Sequence, residues 1–81
     1  MDHEKLFQKR LEEIGLALKE QRKHLGLTQE DMADMGFNLR YYAKIEAGNA
    51  NLTLHTLYRL SVALNIDMVK LLSFPRKKSK K

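Results

Sequence analysis

The sequence predicts an all-α fold, a compact bundle of five helices, and three observations carry that prediction. Strand signals are nearly absent. Apolar residues recur at spacings of three and four, while Gly, Asn and Pro fall where helices stop. One local pattern then occurs four times in succession: an apolar residue, a capping residue, and a second apolar residue five positions after the first.

The first helix is predicted over about residues 4–25, with Phe7, Leu11, Ile14, Leu18 and Leu25 along one stripe. Gly15 is a weak point in it, costing roughly 1 kcal/mol relative to Ala. The four repeated sets are Leu27-Thr28-Met32, Phe37-Asn38-Tyr42, Leu52-Thr53-Leu57 and Ile66-Asp67-Leu71. Each fits an N-cap whose side-chain oxygen takes an orphan backbone N–H. Each also fits a hydrophobic staple across the helix entrance. Thr28 and Asp31 add a capping-box spacing. Gly26, Gly36 and Gly48 suit left-handed positions just past a helix, and Asn65 is the next-best residue there. Helices over about 28–35, 38–47, 53–64 and 67–73 follow. Their links are a few residues long, so they pack as a compact orthogonal bundle. Ala33 is small enough for the second and third helices to cross closely, and Phe37, Tyr42 and Ile45 are expected in the core. Met32, Met35 and Met68 also fit core positions.

The chain has 81 residues, enough for one domain with a modest core. It has no cysteine, which excludes disulfides and thiolate zinc sites. The charged start, MDHEKLFQKRLEE, is not a secretory signal, and no apolar run approaches the roughly 20 residues that cross a bilayer. A cytoplasmic protein is expected. The net charge of +5 is confined to one place: residues 1–75 carry ten Lys/Arg and ten Asp/Glu, and residues 76–81, RKKSKK, carry the other five positive charges. The chain therefore divides into a neutral domain, 1–75, and a basic tail, 76–81, expected to be disordered. That tail is open to two readings, a phosphate binder without sequence preference or a solvated end. Bulk basicity gives no ground for assigning the domain to nucleic acid.

Residues 28–48 read as helix, tight turn, helix, an arrangement that can place a helix end in the major groove of DNA. Asn38 and Gln29 stand at helix N-termini, where free N–H groups and the dipole favour phosphate oxygens. Other chemistry is not signalled. His3, His24 and His55 lack ligand-like spacing, so no metal site is expected. Glu12–Glu13 and Glu30–Asp31 are adjacent pairs that point in different directions on a helix. No Ser-His-Asp order or Gly-rich phosphate loop is present, so an enzyme is not expected, nor are cofactors.

The stretches LKEQRKHLGLTQEDMA (18–33) and YYAKIEAGNANLTLHTLYRLSVALNI (41–66) resemble the Cro/lambda-repressor-like, Xre-type helix-turn-helix family. The resemblance covers nearly all the chain apart from about ten N-terminal residues and the basic tail. It departs from the family pattern once: from Gln29 to Gly48 this chain is one residue shorter, with the loss around residues 34–36, so the second helix or its turn must be tightened. The resemblance implies a five-helix lambda-repressor-like domain with the helix-turn-helix at the second and third helices. It places Leu39, Arg40, Ala43 and Lys44 at base-reading positions, with Arg40 suited to guanine O6/N7. It implies phosphate contacts from Gln29, and Asn38, Tyr41, Asn49 and Asn51 are placed beside it. It pairs Arg22 with Glu46 as a structural ion pair tying the first helix to the third.

The function expected on this basis is sequence-specific transcriptional regulation of double-stranded DNA, in the manner of a phage-type repressor or a restriction–modification controller. A homodimer is expected on a palindromic operator, with half-sites about 34 Å apart. Its interface is expected on the last helix (Met68, Val69, Leu72, Phe74), with the start of the first helix as a further candidate. Occupancy would block RNA polymerase or touch it from an adjacent site. No membrane association or small-molecule ligand is expected. The alternative is an antitoxin-type protein-interaction module on the same fold.

Overall fold

The computed structural model describes residues 2–74, so the predicted basic tail lies outside the described residues. Five helices follow in order: α1 (His3–His24), α2 (Gln29–Asp34), α3 (Leu39–Glu46), α4 (Leu54–Ala63) and α5 (Met68–Leu71). The fold is all-α; among the described residues there is no strand. Also among the described residues, no helix is long and apolar enough to cross a membrane.

Each entrance is built as the cap-and-staple pattern predicts. Thr28, Asn38, Thr53 and Asp67 are the N-caps of α2 to α5, each accepting a backbone N–H from the first turn. Thr28 and Asp31 complete a reciprocal capping box: Asp31 N donates to Thr28 Oγ1 at 3.0 Å and Thr28 N to Asp31 Oδ2 at 2.7 Å. Asp2 caps α1 in the same way. The residue four positions into each of α2 to α5, namely Met32, Tyr42, Leu57 and Leu71, is buried, and Leu27, Phe37, Leu52 and Ile66 pack against or within the same core.

The exits are equally regular. Gly26, Gly36, Gly48 and Asn65 all have positive φ. The residue after each closes a six-residue loop back onto its helix: Leu27 to the Arg22 carbonyl, Phe37 to Met32, Asn49 to Lys44 and Ile66 to Ser61. Leu27, Phe37 and Ile66 therefore serve twice, closing one helix and stapling the next.

The predicted lengths need trimming. Met35 is not a core residue: α2 stops at Asp34, Met35 takes the C-cap, and its side chain leaves the helical face and is exposed. Leu25 is likewise the C-cap of α1 and exposed. Phe7 does lie on the face of α1 that buries Leu11, Ile14 and Leu18. The covering surface ends before it, and Phe7 is 50% exposed. The last helix is the single turn Met68–Leu71. α2 has six residues, and the joint from Gly36 to Asn38 carries both closing bonds of its exit and the cap of α3.

Candidate nucleic-acid interface

α3 buries Tyr42, Ile45 and Glu46. Helical spacing then turns Arg40, Lys44 and Ala47 outward, all exposed, flanked by Leu39, also exposed, and the half-buried Ala43. The four residues assigned to base reading thus share one face, and Ala47 extends it by a turn. Arg40 and Lys44 are its cations. α2 alongside carries Glu30, Asp31 and Asp34, the first two in its first turn.

The residues assigned to phosphates are partly engaged within the fold. Asn38 Oδ1 accepts Tyr41 N at 2.9 Å, which leaves its amide nitrogen as the outward donor. The Tyr41 hydroxyl donates to the Asn51 carbonyl at 2.7 Å, fastening the segment after α3 onto the helix. A phosphate contact from that hydroxyl requires exchange of this bond. Asn49 and Asn51 are exposed. Gln29 Nε2 donates to Glu46 Oε1 at 2.9 Å, so the first residue of α2 is anchored to the last turn of α3.

Behind that anchor stands the pair of Arg22 and Glu46. Arg22 Nε reaches Glu46 Oε2 at 2.6 Å and Nη2 reaches Oε1 at 3.0 Å, with both side chains buried. Arg22 Nη1 also donates to the Leu27 carbonyl at 2.7 Å. One guanidinium thereby joins α1, the α1–α2 joint and α3. Burial alone pushes the Glu46 carboxyl up, but the hydrogen bonds from Arg22 and Gln29, with the Tyr42 hydroxyl close by, outweigh it and hold it below its ordinary value. The bond to Glu46 raises Arg22 in turn, against the cost of burial. Burial, and then Glu46, raise the neighbouring Tyr42 phenol. That hydroxyl is sealed beside the pair without a hydrogen bond of good geometry.

Two further supports complete the assembly. Arg59 of α4 lies over the Phe37 ring at 4.6 Å and donates to the Gly36 carbonyl at 3.4 Å, gripping the turn between α2 and α3. Gly15, read as a weak point of α1, is where α1 crosses α3. A Cβ there would collide with the Ile45 carbonyl oxygen and stand 2.6 Å from that of Glu46. The recognisable signal was its position beside Leu11, Ile14 and Leu18 on the inner stripe.

A family described as helix-turn-helix matches residues 18–71, a span that holds the whole assembly of capped helices, tight turn and outward-facing α3. The chain belongs to the Xre/Cro-like helix-turn-helix family. It is 38% identical over 61 residues to y4dJ of Sinorhizobium fredii, described as an uncharacterized HTH-type transcriptional regulator; the match covers 74% of this chain and 79% of that protein. No solved structure matches the chain. The first fifteen residues of α1, 3–17, lie ahead of the helix-turn-helix match, yet they include Gly15 and much of the surface on which α3 rests.

The residues assigned to a dimer surface divide into two kinds. Met68 and Phe74 pack against the core, while Val69 is 71% exposed and Leu72 is exposed beside it. The Phe74 ring carries the Arg10 guanidinium 5.0 Å from its centroid, so the end of the chain's described part is joined to the second turn of α1.

Proposed function

We propose that this protein is a DNA-binding transcriptional regulator that reads sequence in the major groove with the outward face of α3. The observation that carries the reading is the sharing of one outward face by Leu39, Arg40, Ala43 and Lys44, on a helix held from behind by Arg22 and Gln29. Membership of the helix-turn-helix family and likeness to a protein described as a transcriptional regulator support it. Arg40 is the bidentate guanine reader, Lys44 reaches a guanine or a phosphate, and Leu39 contacts a thymine methyl. The amides of Gln29, Asn38, Asn49 and Asn51 approach phosphates and set orientation.

The active species is a homodimer on a palindromic operator with half-sites about 34 Å apart. Support comes from the exposed Val69 and Leu72 and from Phe7, exposed one turn before Arg10, which itself packs on Phe74. The contact of Arg10 with Phe74 joins the second turn of α1 to the segment after α5. A copy of this chain seated there would bury it twice over. Occupancy of the operator alters access of RNA polymerase, and the protein acts in the cytoplasm. The basic residues 76–81 add phosphate contacts that are indifferent to sequence.

Selection of binding sites from random duplex DNA tests this, run with wild type and with Arg40→Ala. Wild type should recover a palindromic motif, and Arg40→Ala should lose preference at one position of each half-site. Recovery of no motif by wild type removes the specific-regulator reading. In that event the antitoxin-type interaction module gains, favoured by the exposed stripe Leu54, Tyr58 and Val62 along α4.

A further inference from the structure

We propose that Gln8 is a positioning residue for the recognition helix, setting the pitch of α3 by holding the Gly48 carbonyl from outside the helix-turn-helix match. The proposal rests on the reading of α3 as the base-reading helix. Gln8 Nε2 donates to the Gly48 carbonyl at 2.7 Å across forty positions of sequence, and to Glu12 Oε2 at 3.3 Å. Both amide protons are thereby used, so the side chain is held in one orientation. Glu12 packs on the same glycine: a Cβ at Gly48 would stand 2.7 Å from Glu12 Cγ and 2.9 Å from its Cα. Gly48 has φ +77°, which together with that closeness admits only glycine. Two turns further along α1, Gly15 lets the carbonyls of Ile45 and Glu46 approach its backbone.

The last two carbonyls of α3 are thus set against α1 at Gly15, and Gly48, just past the C-cap, is held at Gln8 and Glu12, while Arg40 and Lys44 face away. α3 has eight residues and is about 12 Å long, so a displacement of about 1 Å at its C-terminal end tilts it by about 5°. Recognition groups must be held within about 0.5 Å of their productive places, and Lys44, one turn before Gly48, moves with that end. A bond at the far end of the helix therefore governs specificity without touching DNA. It acts on the difference between right and wrong sequences more than on affinity for phosphates.

Two variants separate this role from general stability: Gln8→Met, which keeps the length and removes the donor, and Gln8→Lys, which keeps a donor. Amide hydrogen exchange on the free protein reads the hold itself. In Gln8→Met the N–H groups of Gly48 and Asn49 should exchange about fivefold faster, the factor that one ordinary hydrogen bond is worth, with those of Leu18 and Leu60 unchanged. The ratio of affinities for the selected motif and a scrambled duplex should fall about fivefold in Gln8→Met, with scrambled-duplex affinity unchanged. Gln8→Lys should keep the ratio. Unchanged exchange in Gln8→Met, an unchanged ratio, or an equal loss in both variants overturns the proposal. A wild type that selects no motif overturns the DNA reading beneath it, while the exchange measurement still decides whether Gln8 holds α3.

Discussion

Arg22 and Glu46 meet through two near-parallel hydrogen bonds, of 2.6 and 3.0 Å, with both side chains buried between α1 and α3. Removing one partner strands the other's charge away from water. Glu46→Ala should therefore cost about 3–5 kcal/mol, enough to unfold much of a small domain. Replacing both, as Arg22→Met with Glu46→Leu, should cost clearly less, because no unpaired charge remains. Thermal unfolding of the three proteins checks this. A melting temperature for Glu46→Ala equal to that of wild type would show that the pair contributes nothing.

The same carboxylate gives a pH dependence of definite sign. Its folded-state pKa lies below the ordinary value of 4.5, so its contribution is fully present above that value and is lost as pH falls through the lower folded value. Between about pH 5 and pH 3, wild type should lose stability more steeply than Glu46→Gln, whose side chain cannot titrate. Urea unfolding at a series of pH values measures the two slopes. Parallel curves would exclude Glu46 as a source of acid sensitivity.

Gly15→Ala reverses the sign that helix propensity alone assigns. Propensity favours alanine by about 1 kcal/mol in a helix interior. Against this, the added methyl meets the backbone carbonyls of Ile45 and Glu46, which no side-chain rotation can move aside. Overpacking of this kind costs about 1–3 kcal/mol or more. A net fall in melting temperature of several degrees is expected. A rise would mean that α1 and α3 separate easily.

Charge placement makes the tail and the motif separable by salt. Deleting residues 76–81 removes five positive charges and should reduce the magnitude of the salt slope of DNA binding by up to about 4.5, equally for all duplexes. Arg40→Ala should cost about 1–3 kcal/mol on the preferred site and relax one position. Titrations at several salt concentrations distinguish the two. A change of sequence preference on tail deletion would assign the tail a role in reading.

The parts of this fold that were legible in sequence are those whose interactions are local. Thr28, Asn38, Thr53 and Asp67 bond within three residues of themselves, so spacing alone exposes them. Leu25 and Met35 were over-read for a related reason. Periodicity shows which face a residue is on but not where the opposing surface ends or the helix stops. The supports of α3 were hidden because their partners are distant: Gln29 lies 17 positions from Glu46, and Arg59 lies 23 from the Gly36 carbonyl. Gly15 was visible yet misjudged, since propensity is a property of an isolated helix and its role belongs to a crossing. Of the outward face of α3, Ala47 was missed by stopping one turn early, and the Tyr41 hydroxyl's bond to the Asn51 carbonyl needed coordinates.

Leu27, Phe37 and Ile66 each close one helix while stapling the next. A helix whose end frays must therefore release the beginning of its successor. Such coupling disfavours partly melted forms in which α3 stands folded while its neighbours do not, and it concentrates unfolding into one concerted event. For a domain so small, concerted melting means that copies with a loosened α3 are rare: the molecule is either fully folded or wholly unstructured and open to degradation. Its working concentration in the cell then follows directly from its folding equilibrium.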